Sequence, residues 1–163
     1  MLQKQELDQI DKGWAKIMII WIALLSSLGI YLVVCKMIGN KIPVSMEGEQ
    51  LQVFKYALFG ISAITLLGAY FFRKFMIHQI SRPYQGSSFQ STTHPAVSRY
   101  SPVIIIVMAL SESIGLYGVV LFFISKDVVS LYQLMILSAI VMIVLRPRKE
   151  ELLEVAEKMK PVQ

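Results

Sequence analysis

The chain has 163 residues, a net charge of +5 and an apolar share of 55%, with a mean hydropathy of +0.59. A soluble domain sits near 45–50% apolar, so the excess argues against an ordinary water-soluble fold. The basic residues flank apolar blocks instead of forming one face, which argues against nucleic acid as a partner and for the lipid bilayer.

Residues 1–14 are polar and mixed in charge, and no cleaved leader is expected. The first apolar block is Ile17–Cys35 and the second is Tyr56–Phe72. The third is Val103–Ser125 and the fourth is Val128–Leu145. At about 1.5 Å per residue each is of the order needed to cross a ~30 Å hydrocarbon core, the second and fourth being slightly short. Lys55 and Arg73 are expected to snorkel and extend the second. Lipid offers no partners to backbone amides, so the blocks must be helices. The expected fold is all-α, a single polytopic membrane domain of four transmembrane helices. Pro102 is expected at the first helical position of the third, with Ser101 as its cap. A loop over 76–101 and a tail over 146–163 complete the chain. The tail places Leu152, Leu153, Val155 and Ala156 among alternating charges, which predicts a helix on the membrane surface or solvated beyond it.

Twelve Lys and Arg residues fall in the N-terminal segment, the middle loop and the tail, against Lys36, Lys41, Lys55 and Lys126 on the other side. That asymmetry predicts cytoplasmic termini, in a membrane such as the bacterial inner membrane. Cys35 is the single cysteine, so no disulfide forms within the chain. His78 and His94 lack ligand spacing, and no metal or cofactor is expected. There is no nucleophile–base pair or phosphate loop, so the chain is not an enzyme by itself.

The first and third blocks echo each other without a gap. Ala23–Val34 aligns with Ala109–Val120, placing Ser27, Gly29 and Tyr31 on Ser113, Gly115 and Tyr117, and Ser26 on Glu112. Ile61–Ile64 and Leu137–Ile140 share a weaker echo. The pattern predicts a duplicated helical hairpin.

Glu112 is the one ionisable residue inside any block, about nine residues from Val103 and thirteen from Ser125. A charge at that depth costs roughly 2.5–3.5 kcal/mol on insertion scales. No base inside another block can pair with it, so hydroxyls and backbone carbonyls are its expected partners. Ser113 and Tyr117 are the nearest hydroxyls in sequence. Ser111, Gly115 and Gly118, with Gly60 and Gly68 of the second block, are expected at close helix contacts.

The run Ala109-Leu-Ser-Glu-Ser-Ile-Gly-Leu-Tyr-Gly-Val-Val120 resembles the carboxylate-bearing helix of the c subunit, the proteolipid of F-type and V-type rotary ATPases. The resemblance covers about a dozen residues, and Arg82-Pro83 weakly resembles that family's loop. It implies that Glu112 holds a translocated H⁺ or Na⁺, that Ser113 and Tyr117 help bind it, and that the chain works as a homo-oligomer or within a larger membrane complex. Against the family pattern, the second block has no glycine comb, and the acid lies on the first helix of the repeat. Two other readings stay open: an accessory or scaffold protein in which Glu112 is a structural acid, and a small transporter or channel lined by Glu112, Ser26, Ser111 and Thr65.

Overall fold

The computed structural model describes residues 4–41, 48–81 and 94–159. Pro43 and the Arg82-Pro83 pair lie outside them. The described residues are helical, without strands: α1 (Lys4–Ile38), α2 (Glu49–Ile80), α3 (Pro95–Ser125), α4 (Val128–Val144) and α5 (Lys149–Lys158). Three of these, α1, α2 and α3, are long and apolar enough to cross a membrane. The 17 residues of α4 fall short alone; counted with α5, from which α4 is bent by 45°, they supply up to one more span.

α3 is the hub, packing against α1, α2 and α4. In its most apolar 18-residue window 44% of residues are buried, against 11% in α1 and 17% in α2. A helix apolar all round belongs at the centre of a bundle. The outer faces of α1 and α2 carry Ile19, Ile30, Ile64 and Leu67 exposed. Such an exterior is ordinary against lipid and a liability in water.

The helices run well past the apolar blocks. At 35 residues α1 spans about 52 Å, against a ~30 Å core. Its first turns were expected as a polar segment. They are helical because α5 and the start of α3 cover them: Ile10 and Ile17 are buried, and a Cβ at Gly13 would lie 2.5 Å from a Val97 methyl carbon. α3 begins two turns earlier than expected. His94, not Ser101, is its N-cap, with Nδ1 accepting from the Ala96 amide at 3.2 Å, and Pro102 falls inside the helix. Pro95 takes the first helical position, where the missing N–H costs nothing.

The tail helix also departs from expectation. Leu152, Val155 and Ala156 of α5 are buried, not spread on a membrane surface or solvated. They pack on α3 and α1, whose extensions provide a protein surface for the same apolar face. Pro147 separates α4 from α5 by removing a backbone donor. Carbonyls at this helix end find side-chain partners: the Trp21 indole donates to the Met142 carbonyl at 3.1 Å, and Arg73 donates to that of Arg146 at 3.1 Å. Arg73 therefore does not snorkel. It is the one charged residue buried among the described residues, and it also pairs with Glu151 at 2.8 Å. Glu151 accepts from the Tyr100 hydroxyl at 3.1 Å, and that hydroxyl accepts from the Arg148 amide at 3.2 Å. The joint thus ties α2, α3, α4 and α5 together.

At the opposite end Lys126 closes α3 in the left-handed region and Asp127 caps α4, accepting from the Ser130 amide at 3.1 Å. Asp127 also pairs with Lys55 of α2 at 2.8 Å. Burial alone pushes its carboxyl upward, but the Lys55 and Ser130 hydrogen bonds outweigh it and hold the group down to about 2. A carboxyl below its unfolded value of 3.8 stabilises the fold above that pH, and the contribution is lost as pH falls through about 2. We predict that Asp127→Asn, which keeps a capping side chain, lowers the thermal midpoint in detergent at pH 6. The gap from the native chain closes towards pH 2. A gap independent of pH would exclude the ion pair as its cause.

Candidate functional site

Glu112 lies half-buried on the side of α3 that meets α1. Its Oε1 accepts from the Ser27 hydroxyl and from the Tyr31 hydroxyl, the latter at 2.8 Å. Oε2 receives no hydrogen bond among the described residues. Ser27 and Tyr31 are four residues apart, so they share a face of α1. The carboxyl is clasped across two helices that run in the same direction from the same end of the bundle.

The two hydroxyls expected beside it are elsewhere, which corrects the sequence expectation. The Ser113 hydroxyl donates to the Leu110 carbonyl of its own helix at 2.7 Å. Tyr117 is half-buried and packs against the core without bonding to Glu112. At 100° per residue, Ser113 sits about 100° and Tyr117 about 140° around α3 from Glu112. Neither shares its face. The positions that reach it are their counterparts in the gap-free echo, Ser27 and Tyr31. That alignment already placed the stretch at the same depth on a parallel helix, but depth does not fix which side of α3 faces α1.

Ser111, Gly115 and Gly118 are all buried. The Ser138 hydroxyl of α4 donates to the Ser111 carbonyl at 2.7 Å. A Cβ at Gly118 would come within 3.2 Å of the Leu131 carbonyl oxygen and 3.0 Å of the Leu134 Cβ. One at Gly115 would lie 2.8 Å from Leu28 of α1. Small residues here let the backbones of α3 and α4 approach closely. Gly60 and Gly68 differ: both are exposed, and a Cβ at either would meet nothing within 4 Å. They lie off the stripe Leu58, Ser62, Ala69, Arg73 that faces the core, so they are not packing positions within the chain.

The other residues proposed to line a channel do not converge on Glu112. Ser26 is exposed and bonds the Ile22 carbonyl, Ser111 bonds the Val107 carbonyl, and Thr65 of α2 bonds the Ile61 carbonyl. Cys35 is buried in the core near the far end of α1.

Two hydroxyls converge on one oxygen of the carboxyl, and the second oxygen receives neither. The Ser27 hydroxyl also lies 2.6 Å from the Leu24 carbonyl of its own helix, and its one hydrogen can serve either acceptor. Compared with protein-family models, with curated proteins and with solved structures, the chain matches none.

Proposed function

We propose that the chain is a four-span integral membrane protein, similar to rotary-ATPase c subunits, that binds H⁺ at Glu112 and serves in an ion-translocating assembly. In this reading α4 is the fourth span, both termini are cytoplasmic, and the membrane is of the bacterial inner-membrane kind. The single observation that carries the proposal is the mid-helix carboxyl with both hydroxyl donors on Oε1 and none on Oε2. Intramembrane acids are costly and mark ion or proton paths more often than they serve packing alone. H⁺ is favoured over Na⁺ because the described residues bring only the Ser27 and Tyr31 hydroxyls to the carboxyl, fewer oxygen ligands than a hard cation takes.

Dicyclohexylcarbodiimide, which attacks protonated carboxyls in apolar settings, tests the reading. Purified protein is labelled across a pH series, with and without sodium, and the product is mapped by peptide mass. Selective labelling of Glu112 that fades as pH rises is the expected result, with no label at that position in Glu112→Gln. Ser27→Ala with Tyr31→Phe is expected to label faster at a fixed neutral pH, because the two hydroxyls that cover Oε1 are gone. Protection by sodium would replace H⁺ with Na⁺. A Glu112 that stays unlabelled at every pH would instead make it a sealed structural acid and the chain a scaffold.

A further inference from the structure

α2 and α4 lie side by side on α3 with little contact between them, and the furrow they leave holds two adjoining cavities. One, of about 320 Å³, is lined almost wholly by aliphatic side chains, among them Leu67, Leu137 and Ile140. The other, of about 390 Å³, is lined by Arg73, Lys74 and Arg148, with Glu151 the one acid. Both are bounded by Tyr70, Val144 and Leu145, so they form one continuous groove. Its apolar part runs along the helices, and its basic part opens at the end where α1 begins and α5 docks.

The charges in the basic part are not balanced among the described residues. Glu151 is already engaged by buried Arg73 and by Tyr100. Lys74 and Arg148 are exposed, and their side chains pair with no carboxylate among the described residues. Two cations without an acidic partner among the described residues therefore stand beside an apolar furrow that offers an occupant almost no polar atom. Tyr70, half exposed where the two cavities join, places an amphipathic ring at the level where an apolar tail would meet a polar head.

We propose that this groove is a binding site for an anionic phospholipid, with an acyl chain along the furrow between α2 and α4 and the phosphate between Lys74 and Arg148. An acyl chain suits a lining of Leu, Ile and Val because neither side has a hydrogen bond to lose. The phosphate supplies the acceptor oxygens and negative charge that the two cations lack, and Arg148 can engage it with two parallel N–H bonds. Basic pockets between transmembrane helices suit lipid head groups for this reason. Arg73 belongs to the joint and fixes the rim. The site is separate from Glu112 and stands whether or not that residue carries an ion.

Native mass spectrometry of the full chain in mild detergent tests the assignment. The probes are phosphatidylglycerol and phosphatidylcholine with identical acyl chains. Phosphatidylglycerol is expected to bind preferentially, and Lys74→Ala with Arg148→Ala to weaken it about 30-fold, roughly fivefold per cation. Ile140→Trp, which fills the apolar part, is expected to weaken both lipids while helicity stays unchanged. Equal retention of the two lipids by the native chain would overturn the proposal, as would undiminished phosphatidylglycerol binding by the double variant. Displacement by glycerol 3-phosphate alone would reduce the site to an anion site and overturn the lipid assignment. A dimer forming in place of the lipid adduct, and lost in Ile140→Trp, would give the groove to a second copy.

Discussion

Arg73→Ala is expected to release α5 from the bundle. Arg73 is 7% exposed and holds both Glu151 and the Arg146 carbonyl. Removing it leaves Glu151 with only the Tyr100 hydroxyl and leaves a helix-terminal carbonyl without its donor. A fully buried pair broken on one side costs about 3–5 kcal/mol. Because the Glu151 side chain is 26% exposed, water recovers part of that, and about 2 kcal/mol is a fair expectation. That corresponds to roughly a 30-fold rise in the open population of α5. Limited proteolysis under conditions where opening is fast reads this directly, with cleavage after Lys149 and Lys158 accelerating by a similar factor. Tyr100→Phe removes one donor and is expected to give a smaller rise, about fivefold. Unchanged cleavage in Arg73→Ala would mean that the apolar face of α5, and not the ionic joint, holds it in place. The same loss would disturb the rim of the lipid groove, which is why Lys74 and Arg148 are the variants chosen for that site.

The second large effect is expected at Gly118. A leucine there would drive its Cβ towards the Leu131 carbonyl oxygen and the Leu134 Cβ, one a backbone atom and the other held close to the backbone. Neither can turn aside as a long side chain can. The α3–α4 contact must open, and the Ser138–Ser111 bond at 2.7 Å opens with it. Overpacking typically costs about 1–3 kcal/mol, and about 3 kcal/mol is expected where backbone must move. The check is the thermal midpoint in detergent compared with Gly68→Leu, whose side chain meets nothing within the chain. Gly68→Leu should leave the midpoint nearly unchanged. Helix propensity favours Leu over Gly at both positions, so a decline of both variants by equal amounts would show that something other than the α3–α4 contact sets the cost. If Gly68 packs against a second copy, Gly68→Leu would lower the assembly state while sparing the midpoint, which bears on the oligomer expected of a c-like protein.

Much of the architecture was legible in the amino-acid order. Four apolar blocks bounded by Lys, Arg and Pro can satisfy their backbones in lipid only as helices, so helical class and approximate placement followed from composition and spacing. The intramembrane carboxyl was equally plain, because one acid in four apolar blocks needs no geometry to be noticed. The echo between Ala23–Val34 and Ala109–Val120 aligned Ser26 with Glu112, whereas Ser27 and Tyr31 are the residues that reach it.

Tertiary structure decided the rest. Whether Glu112 meets Ser113 and Tyr117 or Ser27 and Tyr31 depends on how α3 is rotated against α1, and a helix apolar on every side carries no pattern that fixes rotation. Packing of α3 against three neighbours set it. The length of the helices was hidden for a related reason: polar turns such as Lys4–Lys16 become helical only because α5 and the start of α3 cover their buried Ile10 and Gly13. Arg73 looked like a snorkelling cation because sequence shows its distance from the block end but not the acid that a later helix brings to it. The sequence determines which segments must avoid water; the packed bundle alone determines which polar groups meet inside, because those meetings join residues far apart in the chain.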